Sequence, residues 1–165
     1  MNLNRRTLLQ LSAASAALGV LPARAAIDEL VIAYNVNLPS WDPTVGPSAV
    51  NPTIQGLYQS VFDQFILQQP DLKPAPGLLT EWGWNDDKTK ITMTVRDGVT
   101  WHDGSPFTAE DVAWSLARAA NPDTGNPINF VWGTLANHRV EGDKVIADVK
   151  SFDPTIFKWM YFRTG

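Results

Sequence analysis

The chain has 165 residues, of which 44% are apolar and 18% charged, a composition that excludes a wholly disordered or low-complexity protein and suits about one globular domain. Its 13 Lys and Arg stand against 17 Asp and Glu, a net charge of −4, which argues against nucleic acid as a partner. The lack of cysteine excludes disulfides, thiolate metal sites and a cysteine nucleophile.

Met1 to Gln10 carries Arg5 and Arg6 and no acid, Leu8 to Leu21 is apolar and rich in Ala and Leu, and Ala23-Arg24-Ala25 places small residues where a signal peptidase reads. Residues 1–25 are therefore expected to be a signal peptide cleaved near Ala25, with 26–165 as the exported part. The apolar run falls short of the ~20 residues that span a bilayer, which disfavours a retained anchor. Paired arginines before a mildly hydrophobic run resemble a bacterial twin-arginine signal. A general secretion signal is the alternative, because Asn4 and Leu8 occupy places where the full motif has Ser or Thr and Phe. Loss of Arg5, Arg6 and Arg24 leaves ten cations and 17 anions, a formal charge of −7, which suits the periplasm or the cell exterior.

The apolar, β-branched run Glu29–Asn35 reads as a buried strand. Asn35 to Pro52 holds Pro39, Pro43, Pro47 and Pro52 with Gly46, so it is expected to be a long irregular loop with few free backbone donors. Ile54, Leu57, Tyr58, Val61, Phe62 and Phe65 follow helical spacing, with Asn51 as cap and Pro52 at the first position. Pro70 to Pro76 reads as a proline-stiffened connector. Trp82 and Trp84, the turn Asp86-Asp87-Lys88, and Ile91, Met93 and Val95 together predict a β-hairpin with one apolar face. Val140, the turn Glu141-Gly142-Asp143, and Val145, Ala147 and Val149 predict a second.

Between the hairpins, Thr108 with Asp111 three residues later resembles a capping box, and Phe107 and Val112 are placed for a hydrophobic staple. The stripe Val112, Leu116, Ala119 predicts a helix that Asn121-Pro122 stops.

Arg96 to Gly104 places His102, Asp97, Asp103 and Arg96 close together, with Glu110 and Asp111 following. His102 and Asp103 are adjacent, so on an extended segment they point to opposite faces and cannot form a base and its orienting carboxylate. No Gly-x-Ser-x-Gly, His-Glu-x-x-His or glycine-rich phosphate loop is present. Asp97-Gly98 and Asp103-Gly104 are explained as turns, and Thr108 and Asp111 as caps. His102 and His138 lack metal-ligand spacing, so neither a metal nor a cofactor is expected. Loop residues Trp41 and Trp132 fit either a packing plug or a ligand platform.

The run Ile91 to Arg118 (ITMTVRDGVTWHDGSPFTAEDVAWSLAR) resembles the signature of the large periplasmic solute-binding proteins of the peptide, opine and nickel type, family 5, which are the receptors of ABC importers. Ser40-Trp41-Asp42-Pro43, Gly56-Leu57-Tyr58, Pro74-Ala75-Pro76-Gly77-Leu78 and Glu81-Trp82 follow the family's order. The resemblance implies an α/β, periplasmic-binding-protein-like fold of type II with an extra β-rich subdomain. Family members have two lobes and several hundred residues, so 26–165 is expected to be the N-terminal portion, lobe I with its inserted subdomain.

The function that follows is binding without catalysis: capture of a short peptide or comparable polar metabolite and delivery to an inner-membrane permease, with the twin-arginine translocase as the partner in export. Ligand contacts are expected at Gly46, Pro47 and Ser48, where relatives reach the ligand from the first lobe. They are also expected at Phe130, Val131 and Trp132, because nickel-binding relatives carry an aromatic ligand residue in a similar Trp-x-x-Leu-Ala-Asn context. The alternatives are a secreted hydrolase of peptides or glycans using His102, Asp103 or Glu110, and an extracytoplasmic sensory domain.

Overall fold

A computed structural model describes residues 31–161. Arg5, Arg6, the cleavage site near Ala25 and the first residues of the expected Glu29–Asn35 strand lie outside the described residues. The chain divides into two units between Ala33 and Tyr34. Residues 31–35 form no strand, and Val31 and Ile32 are exposed. A strand is stabilised by the ladder it joins, and among the described residues no other segment pairs with this one.

From Tyr34 onward the elements in chain order are a 3-10 turn, Gly46–Ala49, then α1 (Pro52–Tyr58), β1 (Ile66–Gln68), β2 (Pro74–Pro76), β3 (Leu79–Trp84) and β4 (Lys90–Val95). They continue with α2 (Ala109–Ala120), a 3-10 turn over Pro122–Thr124, α3 (Asn129–Trp132), β5 (Leu135–Glu141), β6 (Lys144–Val149) and α4 (Ile156–Trp159). Both expected hairpins form, β3 with β4 and β5 with β6. They are joined by antiparallel pairing of β4 with β6, which makes one sheet in the order β3-β4-β6-β5. Met93 lies opposite Trp82 on one side and Val145 on the other, and Ile91 opposite Trp84 and Ala147. Alternation along the strands puts these side chains on one face, where Ile91, Met93, Val145 and Ala147 are fully buried. The opposite face carries Thr92, Thr94, Ile146 and Asp148, all half-buried.

Helix α2 covers the apolar face, contacting β4, β5, β6 and α3. Its buried residues are Ala109, Val112, Leu116 and Ala119, which include the whole predicted stripe. The Asp111 carboxylate accepts from the Thr108 backbone N–H at 2.8 Å and from the Thr108 hydroxyl at 3.2 Å, closing the first turn. Phe107 is buried and meets Trp101 edge-on at 5.3 Å. At the far end of the sheet Trp84 packs on Phe152 and on Phe157 of α4, with ring centroids 4.9 and 5.5 Å apart. The β5 strand has an irregularity between Ala136 and Arg139, where Asn137 takes a positive φ of 50°. The neighbouring His138 Nε2 is buried without a partner, and burial, followed by the charge of Lys150, holds its imidazole below the usual 6.5.

Two local expectations differ from the structure. Helix α1 has its Asn51 cap, whose side chain accepts from Thr53 and Ile54 N–H, but it ends at Tyr58 and does not continue to Phe65. Residues 64 and 65 are drawn into extended pairing, their carbonyls accepting from Leu78 N and Leu79 N at 2.9 Å, and this long-range ladder overrides the helical spacing. The proline-rich connector supplies a strand: β2 pairs with β1 as Ile66 with Pro76, Leu67 with Ala75 and Gln68 with Pro74. Proline lacks a donor but is tolerated in a short edge strand. Gly77 follows at a close approach, where a Cβ would lie 2.3 Å from the Gln64 carbonyl oxygen and 2.9 Å from that of Phe65.

Met93 is fully buried on the apolar face of the sheet, between Trp82 and Val145. Met93→Ala is expected to cost about 2–5 kcal/mol through lost burial and the cavity left behind, measured by chemical denaturation.

Candidate functional site

The loop between Ser40 and Ala49 is not held by its own backbone ladder but by side chains that reach it from elsewhere. Asp42 Oδ1 accepts from the Thr44 backbone N–H at 2.9 Å and from the Thr44 hydroxyl at 2.6 Å, an Asx turn reinforced by the side chain. Asp42 N donates to the Ser40 hydroxyl at 2.9 Å, and the Tyr58 hydroxyl donates to the Ser40 carbonyl at 2.5 Å. Arg118, in the last turn of α2, closes the network. It donates from Nη2 to Asp42 Oδ2 and from Nη1 to the Thr44 hydroxyl, both at 2.6 Å. Its guanidinium carbon also lies 5.8 Å from the centre of the exposed Trp114 ring, a cation–π distance.

Burial alone would raise the Asp42 carboxyl. The hydrogen bonds from Thr44, side chain and backbone, and from Arg118 outweigh it and hold the group below its ordinary 3.8. The ion pair is half-buried, with 29% and 31% of the two side chains exposed.

The sequence-expected ligand residues fall on two neighbouring segments. Gly46 adopts φ +50°, and its N–H lies 3.4 Å from the Gly125 carbonyl, which ties this loop to the segment running from α2 to α3. Ser48 is fully buried: its hydroxyl has no partner, while its carbonyl accepts from Gln55 Nε2 at 2.5 Å. The backbone of Pro47 lies within the 3-10 turn between them. On the other segment, Phe130 is 68% exposed, whereas Val131 and Trp132 are only 3% and 1% exposed. The Trp132 indole N–H has no partner. Its ring lines a cleft of about 380 Å³ between the Asp42–Thr44 loop and α2, together with Trp101, Trp114 and Arg118.

Two residues that organise this region were not singled out as site residues by sequence reasoning. Arg118 was read only as the end of a motif, since nothing local marks a partner 76 residues away. Asn126, 1% exposed, donates to the Ala119 carbonyl at 2.7 Å and accepts from Ile128 N–H at 3.2 Å, which sets the entry into α3.

The residues weighed for hydrolysis are arranged otherwise. Asp103 is turned toward Ser105, accepting from its N–H at 2.9 Å and its hydroxyl at 2.6 Å, and His102 and Glu110 are exposed. Gly98 and Gly104 take φ +73° and +85°, as the two Asp-Gly turns require. Among the described residues no group of three or more His, Asp or Glu is placed to hold a metal ion.

The family model for bacterial extracellular solute-binding proteins, family 5 Middle, matches residues 73–159, more than half of the sequence. The chain belongs to that family. It is 34% identical over 134 residues to a probable peptide ABC transporter periplasmic-binding protein of Sinorhizobium fredii, covering 78% of this chain and 25% of that protein. It is 28% identical over 151 residues to the nickel-binding periplasmic protein of Escherichia coli, covering 92% of this chain and 25% of that one. The solved structure of the Escherichia coli murein tripeptide binding protein MppA superposes with a TM-score of 0.62 at 23% identity, covering 74% of this chain and 27% of that one. The fold is thus α/β and periplasmic-binding-protein-like, and the chain spans about a quarter of the length of these relatives.

Because the Asp42 carboxyl is depressed in the folded state, its contribution is fully present above pH 3.8 and is lost as pH falls through the lower, folded value. Acid titration is expected to release the loop in that low window, followed as a change in tryptophan fluorescence that Asp42→Asn removes. A profile unchanged by Asp42→Asn would place the transition elsewhere.

Proposed function

We propose that this family 5 chain supplies one wall of the binding cleft of a periplasmic receptor that captures a short peptide or a comparable polar metabolite and hands it to the permease of an ABC importer, without catalysis. The observation that carries this reading is the family match over residues 73–159, joined to relatives whose names are those of peptide- and nickel-binding periplasmic proteins. The wall consists of Gly46, Pro47 and Ser48 on one segment and Phe130, Val131 and Trp132 on the other. The tie from Gly46 to Gly125 supports treating the two as neighbours. Exposed Phe130 supplies an apolar surface for a ligand face.

Native mass spectrometry of the gently purified full-length protein is the experiment that identifies the bound solute, and calorimetry then measures its affinity. Phe130→Ala is expected to weaken binding by about 1–3 kcal/mol with an unchanged melting temperature, as for loss of one aromatic anchor. The buried Trp132 should behave differently, since Trp132→Ala removes a core ring and costs about 3–5 kcal/mol of stability as well. Unchanged affinity in Phe130→Ala removes that residue from the wall.

The reading includes export by the twin-arginine route, supported by Arg5 and Arg6 ahead of a mildly apolar run. Replacing both with Lys is expected to leave the precursor uncleaved in the cytoplasm, as seen by fractionation and blotting. Continued export assigns the signal to the general route.

A further inference from the structure

Both candidate walls are anchored to the same turn of helix. The side chain of Arg118 grips the Asp42–Thr44 turn, immediately before the Gly46–Ser48 segment. The backbone of the same turn holds the other wall: the Arg118 carbonyl accepts from Asn121 N–H at 3.2 Å, and the Ala119 carbonyl from the buried amide of Asn126, two residues before Ile128 and α3. The loop itself spans Ser40 to Ala49 with no strand and only the short 3-10 turn. Its other ties are the Tyr58 hydroxyl to Ser40, Gln55 to the Ser48 carbonyl, and the long Gly46–Gly125 bond of 3.4 Å.

Among the described residues, only the Arg118 contact is a charged, two-pronged hydrogen bond between the loop and the sheet-bearing part of the fold. Such bonds fix geometry more strongly than neutral ones. Removing the guanidinium leaves a loop closed by weaker contacts, while the core under α2, made by Val112, Leu116 and Ala119, is untouched.

We propose that Arg118 is the positioning residue of the site, holding the Gly46–Ser48 wall in a fixed relation to the Phe130–Trp132 wall through Asp42 and Thr44. This rests on the assignment of those two segments as ligand walls, but the claim about Arg118 is tested without any ligand. In this role Arg118 acts through the loop, by way of Asp42 and Thr44. Lysine at this position carries the charge but not the planar fork, so it does not reproduce the two fixed, diverging donors that hold Asp42 and Thr44.

The experiment is amide hydrogen exchange, read by NMR in the full-length protein, for wild type, Arg118→Met, Arg118→Lys, Asp42→Asn and the Arg118→Met/Asp42→Asn double variant. In Arg118→Met the Thr44 and Gly46 amides are expected to exchange at least about ten-fold faster, with the β4 and β6 amides unchanged. Arg118→Lys should recover part of the protection, and the double variant should be no faster than the faster single one, because both remove the same contact. Loop amides within two-fold of wild type, fully additive variants, or equal loss of protection in β4 and β6 would each overturn the proposal, the last by making Arg118 a residue of general stability. A parallel titration with trialanine reads the other assignment. If trialanine binds wild type and Phe130→Ala equally, the Phe130 wall fails while the exchange result on Arg118 stands. If exchange is unaltered but Phe130→Ala loses trialanine affinity, the wall stands and the role of Arg118 falls.

Discussion

Strand β6 lies against β4 from Lys90 to Thr94, and this one non-local pairing turns two separate hairpins into a sheet with a continuous buried face. An isolated two-stranded hairpin is marginal in water, and α2 packs across strands of both hairpins, reaching β4, β5 and β6. Once Met93 lies between Trp82 and Val145, and Ile91 between Trp84 and Ala147, α2 has a platform for Val112, Leu116 and Ala119. The place of Arg118, and therefore of the loop it grips, follows from that platform. The candidate site is thus several steps removed from the contact that locates it.

The ion pairs in this structure do different things. Arg139 bonds Glu141 at 3.3 Å and Asp148 at 3.2 Å, on strands where the side chains are 38% to 61% exposed. Pairs of that kind contribute about 0–1 kcal/mol and are screened by salt. The Arg118–Asp42 contact is shorter, more buried and shared with Thr44. Its significance lies in geometry, because it joins residues 76 apart and the loop has no ladder of its own. The free hydroxyl of Ser48 and the free indole N–H of Trp132 lie in the two segments proposed as ligand walls. Buried polar groups left unpaired are uncommon, and two of the three found among the described residues fall within the six proposed wall positions.

Local chemistry was legible from the amino acids alone. The two hairpins, the capped helix with its stripe, and the Asp-Gly turns each follow from a few adjacent residues, and the structure has all of them. What was hidden depended on distant partners. Phe65 has helical spacing after Tyr58, yet its carbonyl pairs with Leu79. Pro74 and Pro76 read as a connector until β1 is alongside. Val31 and Ile32 have strand composition but no partner strand among the described residues. For the candidate site, composition and family resemblance mark Gly46 to Ser48 and Phe130 to Trp132 as expected contacts. Composition could not separate exposed Phe130 from buried Trp132, because the burial of an aromatic ring depends on what covers it.

The close approach at Gly77 bears on where the small hairpin can vary in sequence. Where the small hairpin meets the main sheet, backbone meets backbone, and a single added methyl would collide with the Gln64 and Phe65 carbonyls. The hairpin's angle is therefore set by main-chain atoms, with Arg96 Nε clasping the Gly77 carbonyl at 2.7 Å. Gln68 and the tip from Gln69 to Lys73 are exposed, whereas Leu67 borders the same hollow as Gln64, Gly77 and Arg96. Sequence change at the tip, Gln69 to Lys73, therefore falls away from the atoms that set the junction, with the positive φ of 66° at Leu72 as the local constraint on what can stand there.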